Sequence, residues 1–362
     1  MAVGTSVPAR LSRTRQVASL RIRERLEQAE DHALAPYATR STQAVRDQPE
    51  EPSPTRTAFQ VDRDRIVHSK PFRRTKHKTQ VFLAPIGDHY RTRLTHILEV
   101  SQIGRSIAVA LSLDQDLVEA MAVGHDIGHT PFGHVGEELL AKFLPEGFRH
   151  NQQSVRIVEK LERGGRGMNL TRQVRDGILK HSAPTTGGLE TAAWGEPETP
   201  EGWAVRYADK VAYLHHDVDD AIRAGIIADE DIPENVRLSL GATREERLDT
   251  MIYDVIVASF DKPTVTMSDE VLEATNALRK FMFDCVYLSG EAKTEDEKAQ
   301  GMLWALLTYF EAHPDRMPAE HQRIAERDGT KRAVADHIAG MTDGYALDMY
   351  EELFIPAAWS RR

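Results

Sequence analysis

One cysteine, Cys285, stands among 362 residues, so no intrachain disulfide can form. It lies in the apolar run 281–288 and is expected as a buried core thiol, which suits a reducing cytoplasm. No run of eighteen apolar residues occurs, which excludes an apolar membrane-spanning helix and predicts no membrane partner. The N-terminus is rich in Arg but has no continuous apolar stretch, so a secretory signal is not expected; an organelle transit peptide is the weaker reading. Positive charge is also in deficit. Lys and Arg total 46 against 56 Asp and Glu, giving a net charge of −10, and no bulk attraction to DNA follows. Period-2 apolar alternation of useful length is missing too, so a sheet is not expected.

What is present is helical periodicity. Mean hydropathy is −0.46 and 41% of residues are apolar, as in a water-soluble domain with a sizeable core. Leu94, Ile97, Leu98, Ile103 and Ile107 predict a long helix capped by Thr92 or Thr95. Asp114 is expected to cap the next helix, which carries Leu117, Val118 and Met121 and ends at His125-Asp126. Pro131, Gly128 and Gly133 then force a turn, and a new helix begins near His134. Asn151 is read as a cap, 183–202 as a long loop and 203–224 as an unbroken helix. The chain reads as all-α, with an N-terminal arm and linker over 1–55, a core over 56–260 and a C-terminal helical subdomain over 261–362.

Chemistry concentrates in two places. His125, Asp126, His129 and His134 fall close together among Gly and Pro, and Asp209 to Asp217 form a second polar cluster, with His96 upstream. Two imidazoles and two carboxylates (His96, His125, Asp126, Asp209) are a ligand set for a divalent metal with open positions. Singly, His96 reads as a core histidine and Asp209 as a surface carboxylate. Ala122, Val123 and Ile127 around His125-Asp126 change that reading, because charge buried there without a partner costs several kcal/mol, roughly. Asp209, Tyr213 and Asp217 share one helix face; Tyr213 is either a substrate-stacking ring or a half-buried core tyrosine. His134 and Glu137 are three apart, as in a general acid held by a carboxylate, or as a Glu answering a first-turn dipole. His129 and His150 are further imidazoles able to line a phosphate pocket. Residues 61–80 hold Arg63, Arg65, Lys70, Arg73, Arg74, Lys76 and Lys78 against Asp62 and Asp64, which suits a small polyanion or a solvated helix face.

These stretches together resemble the HD-domain phosphohydrolases, and within them the bacterial dGTPase-like deoxynucleoside triphosphate triphosphohydrolases. The likeness covers about residues 22–260 and rests on 34–40, 63–80, 91–96, 125–137 and 208–220. It implies an HD helical bundle with His96, His125, Asp126 and Asp209 as metal ligands and His134 with Glu137 as the catalytic pair. It implies phosphate contacts from Arg93, His129, His150, Lys210 and Tyr213, and sugar contacts from Gln80 and Asp217. The implied metal is Mn, Mg, Co or Fe. The implied reaction splits a dNTP, dGTP among them, into deoxynucleoside and triphosphate. The resemblance also implies a homo-oligomer, hexamer or tetramer, with a nucleotide effector; single-stranded DNA is a further candidate effector. Thr75 and Tyr207 depart from the aliphatic residues expected there. The C-terminal hundred residues carry no recognised motif and are expected to complete the pocket or an oligomer interface.

Two other readings compete. One is an HD phosphohydrolase for another nucleotide, which Gln80 and the 63–80 stretch disfavour. The other is a regulatory or single-stranded nucleic-acid-binding protein, for which 61–80 supplies only Phe72 as an interleaved aromatic.

Overall fold

Helix α5 (Gln115–Gly124) forms because Asp114 turns its Oδ1 onto the first free amides, accepting from Asp116 N at 2.9 Å and Leu117 N at 3.0 Å. Nearly every later side chain of α5 is buried, so the helix runs through the middle of the fold. Around it pack α2 (Ala58–Val67), α4 (Arg93–Ala110), α9 (Arg172–Lys180) and α10 (Pro200–Arg223). The computed structural model describes residues 13–80, 91–182, 195–287 and 290–356. Among them there is no strand, only a lone antiparallel bridge between Thr79 and Thr92, and the fold is all-α as expected.

The remaining helices are α1 (Arg13–Ala33), α3 (Lys70–Arg74), α6 (Gly133–Phe143), α7 (His150–Arg156) and a short α8 (Glu162–Gly165). They are followed by α11 (Glu234–Leu240), α12 (Arg244–Ser259), α13 (Asp269–Met282), α14 (Gly290–Ala312), α15 (Ala319–Asp328), α16 (Thr330–Ala339) and α17 (Asp343–Phe354). Two apolar clusters hold them. The first runs from Ala38 through α4, α5 and α10 to Val286; the second joins Phe132 and α6 to α14, α15, α16 and α17. Half-buried Leu161 touches both.

Three local expectations are corrected. Asn151 is no cap: α7 already begins at His150, and the Asn151 amide donates to Leu179 O at 2.6 Å. Cys285 is exposed, because the helix widens into a π turn over Phe283–Tyr287 and Met282 and Val286 take the inward positions. Helix α11 was not anticipated. Most of the expected 183–202 loop lies outside the described residues, and its end is already helical from Pro200.

Candidate metal centre

The centre lies where α4, the end of α5 and the middle of α10 meet. His125 is the C-cap that follows α5, and its Nδ1 donates to Ala122 O at 2.6 Å, which turns Nε2 inward. That Nε2 stands 3.4 Å from His96 Nε2, 3.6 Å from Asp126 Oδ1 and 3.7 Å from Asp209 Oδ1. His96 Nε2 lies 3.2 Å from Asp209 Oδ1 and 3.7 Å from Asp126 Oδ2. All four side chains are buried. Atoms bound about 2.1 Å from one ion stand about 3.0–3.4 Å apart; His96, His125 and Asp126 form a metal-competent trio of that scale, and Asp209 Oδ1 lies beside both imidazoles as a fourth donor. The donor set agrees: burial outweighs Asp126 and Asp209 and lowers the His125 pKa, leaving a neutral imidazole, while Asp126 and Asp209 stay ionised against burial through the cations and imidazoles beside them.

The loop after α5 brings the other imidazoles to the same carboxylate. Gly128 is pressed so closely on α7 that an added Cβ would stand 2.2 Å from Ser154 N, and Ser154 Oγ donates to His125 O at 2.7 Å. His129 Nε2 lies 3.3 Å from Asp126 Oδ1, and its ring stacks on His150 at 3.9 Å. His150 Nδ1 meets Glu137 Oε2 at 2.9 Å; burial alone would lower the His150 pKa, but Glu137 outweighs it and raises it. His134 is 79% exposed at the mouth, with Nδ1 3.7 Å from Glu137 Oε2. Glu137 thus serves two imidazoles and holds His150 more closely than the His134 expected as its partner. Asp126, His129 and His150 make a second metal-competent trio that shares Asp126 with the first.

Arg93, expected on phosphate, is buried with Nη1 on Asp126 Oδ2 at 2.5 Å and Nη2 on Thr79 O at 3.2 Å. Lys210 Nζ lies 3.6 Å from Asp209 Oδ2 and 5.3 Å from the centre of the Tyr213 ring. Tyr213 is half-buried, and burial raises its pKa despite Arg279. Gln80 keeps its Oε1 buried without a hydrogen-bond partner among the described residues. Asp217 is buried with Oδ1 2.7 Å from His216 Nδ1.

Two histidines had been overlooked. His216 Nε2 meets His96 Nδ1 at 2.9 Å, behind the ligand set. It sits seven residues after Asp209, two turns along the same face, a spacing that was readable. His181, at the end of α9, faces His150 Nε2 at 3.3 Å and lies 3.9 Å from Asp126 Oδ1; burial lowers its pKa to about 3. The basic stretch turns inward only in part, since Lys70, Arg73, Arg74 and Lys76 are exposed. Arg63 reaches Asp116 at 3.2 Å and Glu119 at 3.1 Å, and Arg65 pairs with Glu50 at 2.8 Å.

The chain matches the HD domain over residues 93–214 and the phosphohydrolase-associated domain over 265–352. It is 53% identical to a deoxyguanosinetriphosphate triphosphohydrolase-like protein of Caldanaerobacter subterraneus, covering 94% of this chain and 98% of that one. A protein of the same description from Clostridium perfringens is 46% identical over 93% of this chain and 98% of its own. A solved phosphohydrolase from Bacteroides thetaiotaomicron aligns over 80% of this chain and 68% of that one, at 16% identity and a TM-score of 0.49.

Proposed function

From the chain's membership of the deoxyguanosinetriphosphate triphosphohydrolase-like family of HD-domain proteins, we propose a metal-dependent hydrolase that splits a dNTP into deoxynucleoside and inorganic triphosphate. One observation carries this reading: His96, His125, Asp126 and Asp209 converge from three separate stretches, with His129, His134 and His150 gathered on the Asp126 side.

A divalent cation held by those four residues supplies Lewis-acid stabilisation of charge on a phosphoryl oxygen. The chain's own groups do the rest. Arg93 fixes the Asp126 carboxylate and adds positive charge at the site. Lys210 and the His129–His150 stack face the polyanion, and Tyr213 lies against Lys210. Water adds to the α-phosphorus as its bond to the 5′ oxygen breaks and releases its proton to solvent; exposed His134 gives a proton to the departing 5′ oxygen, and Glu137 supports the imidazolium. Gln80 Oε1, an acceptor without a partner among the described residues, takes the 3′-hydroxyl of the sugar. Asp217, buried on α10 beyond Tyr213, is the second sugar contact that the family likeness implies. The metal is Mn, Mg, Co or Fe, the assembly a homo-oligomer, and the compartment the cytoplasm.

The test is product analysis. The purified chain is incubated with each dNTP, singly and mixed, with Mg or Mn, and the products are chromatographed. Triphosphate with deoxynucleoside supports the reading; phosphate, pyrophosphate or no turnover removes it.

A further inference from the structure

The turn between His129 and His134 is held from a distant part of the chain. Phe132 has φ of 59° and Gly133 φ of 54°, so two consecutive residues are left-handed. For Phe that conformation costs on the order of 1–2 kcal/mol and persists only where the surroundings impose it. The Phe132 ring is buried in the second apolar cluster, among the C-terminal helices. Its amide donates to Asp343 Oδ1 at 3.0 Å, from the first residue of α17. The other oxygen of Asp343 accepts from Thr79 N at 2.8 Å and from Thr79 Oγ1. Thr79 O in turn accepts from Arg93, whose Nη1 holds Asp126. Lys78 Nζ, also buried, donates to His129 O and, at 2.8 Å, to Ala339 O near the end of α16. One carboxylate thus ties the turn carrying His134 to the segment carrying Gln80, and through Arg93 to the ligand Asp126.

We propose that Asp343 is a positioning residue: it fixes the His129–His134 turn and the Thr79–Gln80 segment in the arrangement the reaction requires. The proposal rests on the dNTP hydrolase reading. Asp343 bonds Thr79 and Phe132 and lies outside the proposed ligand set. It acts by holding, with both oxygens, amides from two segments that flank the pocket, and a displacement of about 1 Å at such a site costs up to about 100-fold in rate.

The test uses the full chain and the variants Asp343→Ala and Asp343→Asn. The amide keeps the shape but offers only one acceptor oxygen to two segments. Asp348→Asn, an exposed carboxylate on the same helix, is the control. Three quantities are read: Mn affinity by calorimetry, deuterium uptake in peptides covering 129–134, and kcat with KM for a dNTP that the wild type turns over. In both variants, Mn affinity within twofold of wild type, raised uptake in 129–134, and kcat lowered about 10- to 100-fold with KM within threefold are expected. The control is expected to match wild type. Unchanged uptake, kcat within twofold of wild type, or Mn affinity falling in step with kcat overturns the proposal. If Asp343→Ala does not fold, Asp343→Asn decides by the same criteria. A wild type without dNTP turnover removes the functional reading alone, and uptake in the variants then decides whether Asp343 holds the turn.

Discussion

His96 and His125 each place Nε2 within 3.2–3.7 Å of an oxygen of Asp126 and of Asp209, which makes the residue-scale expectations sharp. His125→Ala and Asp126→Ala are expected to abolish both Mn binding and turnover, read by calorimetry and product chromatography. His134→Ala keeps Mn binding, because the ring is exposed and off the ligand set, and loses about 100-fold or more in kcat. His216 gives a separate outcome. It holds the far nitrogen of His96, as outer partners of metal-bound imidazoles do, so His216→Gln is expected to weaken Mn binding about 10- to 100-fold. Mn affinity equal to wild type in His216→Gln would show that His96 needs no such support. The meeting of His96, His125, Asp126 and Asp209 was legible in the sequence through the apolar setting of His125-Asp126 and the family likeness, not from His96 or Asp209 taken singly. Contacts were less legible. That Arg93 faces Asp126, and that Glu137 holds His150 more closely than His134, depends on how the 126–150 turn folds back, which no spacing rule encodes. His181 had no signal short of the fold itself, since it meets His150 only across a helix contact.

At the scale of elements, the Asp114 cap and the Pro131–Gly133 break were readable, whereas the cap expected of Asn151 and the widened turns were not. Asp114 caps α5 through side-chain bonds, and Pro131 with Gly133 ends one helix and admits the next. The π turns at Ile157–Leu161 and Phe283–Tyr287 arise from packing, so the facing of Cys285 was misjudged. The Asp114 cap also carries a cost. Burial, then repulsion from Glu30, Asp116 and Glu201, raises its pKa from 3.8 to about 8, although the Leu117 amide opposes this. Because the unfolded chain releases this proton near pH 4 and the folded chain holds it to about pH 8, the folded state binds more protons across that window. This group's contribution to stability therefore falls as pH rises from about 4 to 8. Asp114→Asn keeps an oxygen for the cap and has no charge to bury. Its thermal midpoint is expected to exceed wild type increasingly from pH 5 to 8; equal midpoints at pH 8 would contradict this.

The whole molecule depends on its C-terminal helices more than its motifs suggested. The HD match ends at residue 214, yet α6, inside that match, buries Leu139, Leu140 and Phe143 against α14 and its neighbours rather than in the first cluster. Each such side chain contributes roughly 1.5–3 kcal/mol when buried, so α6 and the turn before it rely on residues beyond 290. The charge pattern points the same way. Part of the basic stretch is used within the fold: Arg63 and Arg65 by carboxylates, Arg74 by Gly340 O at 2.9 Å, which fastens α3 to the end of α16, while Lys70, Arg73 and Lys76 remain exposed. A chain ending at residue 288 would lose the second cluster, the Arg74 anchor and Asp343 together. It would keep the four ligand residues, whose helices pack in the first cluster. Such a chain is expected to retain measurable Mn binding, to be cut by protease within 129–149, and to lose turnover by more than 100-fold. Protection of 129–149 with wild-type turnover in the shortened chain would show that the HD segment holds its own catalytic turn. The C-terminal helices would then owe their place to some other task.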